Sequence, residues 1–132
     1  MTKVLIVDDE RDILEEASEA LSEEGYEAIC AGGVEDALDA LRNHPDIGVV
    51  VTDLKMPGKP GGDLIKAARQ EFKRPITFIV MSGHGSPRVE TDGVDIEKFP
   101  FLRKPLDIDE FLEAVETAVT SGNERERDGR QE

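Results

Sequence analysis

At 132 residues the chain has room for one domain, and its 38% apolar residues, with five Phe, one Tyr and no Trp, make a largely aliphatic core. Thirty acidic against sixteen basic side chains leave a formal charge of −14, which repels phosphate backbones and argues against direct nucleic-acid binding. A lone cysteine, no run near the roughly 20 apolar residues of a membrane span and no signal-like leader argue against a disulfide scaffold or membrane protein and lead us to expect a cytoplasmic one.

Residues 3–7 read as a first strand, ended by Asp8, Asp9 and Glu10. Over 11–24, Ile13, Leu14, Ala17 and Leu21 recur at helical spacing, a stripe that covers one face of a sheet. Gly25 suits a left-handed cap after that helix. A short second strand over 26–30 belongs near an edge because Glu27 interrupts it, and Cys30 within it is expected to be a small buried hydrophobe. Gly32 and Gly33 turn the chain into a second helix that runs to about Arg42, with Val34, Ala37, Leu38 and Leu41 inward. Asn43 to Asp46 form a turn, since the residue before Pro45 is pushed out of the helical region.

The third strand, 47–52, contains Val49, Val50 and Val51, a β-branched run typical of a central strand covered on both faces. It delivers Asp53 to a turn rich in proline and glycine, after which Leu64, Ile65 and Ala68 mark a third helix that ends near Gln70. Residues 76–81 are another buried type of strand, followed by the small-residue loop Ser82, Gly83, His84, Gly85 and Ser86. Between Pro87 and Pro100, Gly93 and a dense set of acids allow at most a short or mobile fourth helix. A fifth strand over 99–102 tolerates Pro100 if it lies at an edge. Asp107 and Glu110 then form a capping box for a last helix whose apolar face carries Phe111, Leu112, Val115, Ala118 and Val119. The folded domain is expected over 1–121, and 122–132, charged and without an apolar side chain, as a disordered tail.

Strand and helix alternate, so right-handed crossovers place helices on both faces of a parallel sheet. Ligands in such sheets bind at the carboxyl ends of the strands. Asp8, Asp9, Asp53, Ser82 and Lys104 all fall on that rim. Carboxylates brought together there repel, about 4 kcal/mol for one pair at ~4 Å and an effective dielectric of ~20. Lys104 offsets part of this, and a hard divalent cation the rest, with Mg²⁺ favoured by all-oxygen ligands. Asp9, Asp53 and the Lys55 carbonyl are the expected direct metal ligands, with Asp8 acting partly through water. A carboxylate beside Mg²⁺ and an ammonium suits attack on phosphorus, and Asp53 is the best-placed nucleophile. Ser82 can then donate a hydrogen bond to the new phosphoryl oxygen.

Four segments, Val-Leu-Ile-Val-Asp-Asp-Glu at 4–10, Thr-Asp-Leu-Lys-Met-Pro-Gly at 52–58, Met-Ser-Gly at 81–83 and Leu-Arg-Lys-Pro at 102–105, stand in this order and spacing. In them the chain resembles the receiver domain of two-component response regulators over about residues 2–120. The resemblance implies an α/β, flavodoxin-like, doubly wound five-stranded parallel sheet of order 2-1-3-4-5. It implies that Asp53 receives phosphate from a histidine kinase or a histidine phosphotransfer protein, that Asp8 and Asp9 organise Mg²⁺, and that Lys104 is the family's lysine. It makes Ser82 the switch hydroxyl and Phe101 the aromatic switch position. Lys55 and His84 occupy positions that tune hydrolysis. Its departures are the acidic, glycine-containing stretch 87–100 and Lys59-Pro60-Gly61 in the loop beside the nucleophile.

The expectation is a stand-alone phosphoacceptor that acts through a partner protein, a downstream regulator or a homodimer, or that drains phosphate from a kinase. It catalyses only its own phosphorylation and dephosphorylation. An aspartyl phosphatase with a diffusing substrate would want a second carboxylate where Lys55 stands, and a cap. A purely structural partner-binding domain would not need the acidic cluster with Lys104.

Overall fold

The computed structural model describes residues 2–83 and 98–131, for 122–131 the backbone alone. In chain order the elements are β1 (Lys3–Val7), α1 (Arg11–Glu23), β2 (Glu27–Ala31), α2 (Val34–Asn43), β3 (Ile47–Asp53), α3 (Gly61–Glu71), β4 (Thr77–Ser82), β5 (Phe101–Arg103) and α4 (Ile108–Gln131). All pairings are parallel and the sheet order is β2-β1-β3-β4-β5. This is the doubly wound, flavodoxin-like arrangement that the sequence implied.

Because side chains alternate along a strand, each central strand feeds two cores. Leu5, Val7, Val50, Phe78 and Val80 pack with Val34, Leu38 and Leu41 of α2 and Leu64, Ile65 and Ala68 of α3. Val4, Ile6, Val49, Val51, Ile79 and Met81 pack on the opposite side with Ala17 and Leu21 of α1 and Phe111, Val115 and Ala118 of α4. The run that lacks an alternating polar residue is thus the one with helices on both sides. Arg42 and Glu71, joined by two hydrogen bonds, tie the C-terminal ends of α2 and α3.

The helix stops follow local chemistry. Gly25 adopts φ +87°, and the N–H groups of Tyr26 and Gly25 donate to the carbonyls of Leu21 and Ser22, which closes α1 with a Schellman motif. At the start of α4 the Glu110 N–H donates to Asp107 Oδ1 at 3.1 Å, the expected cap.

Two expectations are corrected. Strand β5 begins after Pro100, not at Phe99. Pro100 has no N–H to give, and it contributes only its carbonyl, which accepts the Val80 N–H at 2.9 Å. Cys30 is exposed, because β2 is an edge strand with one face only partly covered. Helical backbone continues past Gly122 to Gln131. Glu, Arg and Gln are good helix formers, so a helix begun at Ile108 can extend there without an apolar face. The fourth helix expected between Pro87 and Pro100 lies, up to residue 97, outside the described residues.

Phe111 is fully buried between α4 and the sheet. Phe111→Ala should lower the unfolding free energy in urea by about 3–5 kcal/mol, whereas loss of the cap in Asp107→Ala should cost only about 1 kcal/mol. Equal losses in the two variants would contradict this division between packing and capping.

Candidate functional site

The sheet register brings the polar residues together. Val7 lies beside Thr52, so the residues that follow them, Asp8 and Asp53, leave neighbouring strands side by side. Asp53 pairs with Met81 and Ser82 with Arg103, which places Ser82 and Lys104 on the same rim. The main chain continues this order beyond the strands: Asp8 N–H donates to Ala31 O at 3.1 Å and Lys104 N–H to Ser82 O at 3.0 Å.

At the centre is one ammonium. Lys104 Nζ stands 2.6 Å from Asp8 Oδ2, 3.0 Å from Asp53 Oδ2 and 3.5 Å from Glu10 Oε1. Asp8 has no exposed surface, Asp53 is 4% exposed, and the Lys104 side chain is 10% exposed. The other oxygens of both aspartates face backbone donors. Glu10 N–H donates to Asp8 Oδ1 at 2.9 Å, and Lys55 N–H makes a longer bond to Asp53 Oδ1 at 3.3 Å. Apart from the ammonium, Asp8 Oδ2 receives no donor among the described residues.

Burial raises the pKa of Asp8. The Lys104 ammonium and the Glu10 N–H oppose the rise, and the charge on Asp53 adds to it. For Lys104, burial acts to lower the pKa, but the hydrogen bonds and charges of Asp8 and Asp53 outweigh it and the ammonium is held well above its ordinary value. The two groups therefore have opposite linkage. Lys104 contributes stability that is full below the unfolded lysine value and lost as pH rises through its folded value. Asp8 works against folding at neutral pH and ceases to do so as pH falls through its raised value.

Oxygens of Asp8, Asp9 and Asp53 can approach within 4.8 Å of one another. Asp9 is the exposed member, at the open side of the rim. Asp8, Asp9 and Asp53 against one ammonium leave two negative charges, which one divalent cation neutralises, and the exposed Glu10 at 3.5 Å from Lys104 Nζ adds a further negative charge at the open side. The donors are all hard oxygens, one of them a buried atom short of partners, so the cluster fits a hard divalent cation.

Ser82 is 2% exposed at the end of β4. Phe101 is half-buried and packs against the core on the α2 and α3 side. Lys55 is exposed and reaches the site through its backbone N–H. His84 lies outside the described residues. Glu10, read from the sequence only as a strand breaker, is a third carboxylate on Lys104. Its place directly after Asp8 and Asp9 was the available signal.

Residues 4–116 match the family profile of the response regulator receiver domain. The transcriptional regulatory protein CpxR of Escherichia coli (strain K12) is 33% identical over 115 residues, which cover 87% of this chain and 48% of that protein. The transcriptional regulatory protein KdpE of Mycobacterium tuberculosis (strain ATCC 25618 / H37Rv) is 34% identical over 119 residues, covering 90% of this chain and 51% of that one. The chain spans about half the length of these curated relatives. Among solved structures, the chemotaxis response regulator CheY4 of Vibrio cholerae superposes with a TM-score of 0.77 at 27% identity, covering 89% of this chain and 98% of that one. The receiver domain of the hybrid histidine kinase CckA superposes with a TM-score of 0.72 at 28% identity, covering 88% and 97%.

Lys104→Met leaves Asp8 buried beside Asp53 without the ammonium. Such a loss typically costs about 3–5 kcal/mol, and the deficit relative to the parent should be largest near neutral pH. It should shrink on acidification, as Asp8 takes up a proton and the uncompensated charge disappears. Urea titrations of both proteins across the acidic range measure this, and a deficit independent of pH would contradict the assignment.

Proposed function

The chain belongs to the response regulator receiver domain family, and from that membership we propose that Asp53 accepts a phosphoryl group from the phosphohistidine of a sensor histidine kinase or a phosphotransfer protein. The observation that carries this reading is the Lys104 ammonium between Asp8 and Asp53, at 2.6 and 3.0 Å. Mg²⁺ is the proposed cation, held by Asp8, Asp9, Asp53 and the Lys55 carbonyl, and when bound it supplies positive charge that neutralises the oxygens of the transferring group.

An Asp53 carboxylate oxygen attacks phosphorus while the bond from phosphorus to the histidine nitrogen breaks. The electron pair stays on the imidazole, and an acyl phosphate forms on Asp53. Lys104 is positioned to follow the charge from the free carboxylate to a phosphoryl oxygen, because its reach already includes Asp53 Oδ2. Ser82 donates its hydroxyl to another phosphoryl oxygen, and the aromatic ring of Phe101 responds to the displacement of Ser82. Attack by water on phosphorus returns free Asp53 and inorganic phosphate, at a rate tuned by Lys55 and His84. The chain therefore processes its own phosphoryl group and does not turn over a diffusing substrate.

Output through a protein surface suits the −14 charge better than contact with nucleic acid by these residues. A downstream regulator or a second copy of the chain would read the phosphorylated state. Drainage of phosphate from a shared kinase uses the same chemistry without a reader.

Incubation with acetyl phosphate and Mg²⁺ should add one phosphoryl group to the intact protein by mass spectrometry. Asp53→Asn, or chelation of the metal with EDTA, should abolish the adduct. An unmodified parent protein, or an equal adduct on Asp53→Asn, would overturn the proposal.

A further inference from the structure

Gly61 opens α3 against the back of Asp53. A Cβ placed on Gly61 would lie 2.2 Å from the Asp53 carbonyl oxygen, and 3.1 Å from both the Asp53 carbonyl carbon and Thr52 Oγ1. Two of these three atoms are backbone atoms of β3, which is paired on both sides within the sheet. A flexible side chain could swing away, but this main chain cannot move without disturbing the ladders. The glycine is needed here for space, since the positive φ values among the described glycines belong to Gly25 and Gly58.

The peptide after Asp53 is held from several directions. Leu54 N–H donates to Met81 O at 3.0 Å, and Gly61 N–H donates to Leu54 O at 3.0 Å. The Thr52 hydroxyl donates to Asp53 O at 3.0 Å. The start of α3 is therefore docked on the Asp53–Leu54 peptide, which flanks the Cα that carries the Asp53 side chain, and on the Leu54–Lys55 peptide that follows it.

We infer that Gly61 is a positioning residue for Asp53: its missing side chain lets α3 clamp the Asp53–Leu54 backbone and so fixes the carboxylate against Lys104 and Asp8. This rests on the reading of Asp53 as phosphoacceptor. In Gly61→Ala the contact must open by about 1 Å, and a displacement of that size at a reacting group can cost about 100-fold in rate. Gly48 provides the control. It lies in the same strand, and an added Cβ there meets nothing within 4 Å.

The experiment compares the parent, Gly61→Ala and Gly48→Ala for the rate of phosphorylation by acetyl phosphate, for Mg²⁺ affinity by calorimetry and for thermal stability. Gly61→Ala should be phosphorylated about 100-fold more slowly, with weaker Mg²⁺ binding, while Gly48→Ala stays within about threefold of the parent. A folded Gly61→Ala protein with near-parental rate and affinity overturns the inference, and a lower melting temperature alone would mark Gly61 as mere packing. If Gly61→Ala does not fold, amide hydrogen exchange in the parent decides. The Gly61 and Leu54 amides should then be protected like those of Val50 and Val51, and a Gly61 amide that exchanges as fast as those of Gly58 and Lys59 overturns the inference. Failure of the parent itself to accept phosphate would instead defeat the assignment of Asp53 as acceptor, with the exchange result left standing.

Discussion

One ammonium makes this rim tenable. Asp8 and Asp53 are both nearly removed from solvent, and Lys104 stands between them at 2.6 and 3.0 Å. Without a compensating charge, two carboxylates so placed would drive one of them to take up a proton. Lys104 prevents this only in part, since burial still holds Asp8 above its ordinary pKa. The rim is thus left anionic and short of positive charge, which is the condition for recruiting a divalent cation.

That arrangement depends on a sheet that cannot easily shift. Parallel strands with helices on both faces place all their carboxyl ends on one side, and the register sets Asp8, Asp53, Ser82 and Lys104 one step beyond or at the ends of paired strands. A slip of one residue in β3 would exchange its two core faces and also turn Asp53 away from the rim. The aliphatic packing of Val49, Val50 and Val51 and the placement of Asp53 are therefore one constraint.

The site is uneven in how firmly its parts are held. Asp53 has backbone contacts on the β4 and α3 sides, and Lys104 has its own N–H on the carbonyl of Ser82. Asp9, Lys55 and Glu10 are exposed on the open side. A buried Asp53 with an exposed outer ring suits the proposed transfer from another protein: the carboxylate stays aimed while the polar side is left open to a donor.

Much of this was legible in the residues themselves. Periodicity and punctuation located the strands and helices because each records a local preference: alternation or apolar runs in strands, a 3.6-residue stripe in α1, α2 and α3, Gly25 at a positive φ, Asp107 as a cap. The acids at strand ends pointed to metal and phosphoryl chemistry because burying them together needs compensation whatever the exact geometry. Tertiary structure alone decided that Lys104 also meets Glu10, that Cys30 faces outward on the edge strand, that β5 starts after Pro100, and that Gly61 lies against the Asp53 carbonyl. Each of these depends on distances between residues far apart in the chain, or on which face of an edge strand is left uncovered. No local preference encodes such distances; they exist only once two helical layers have closed on the sheet.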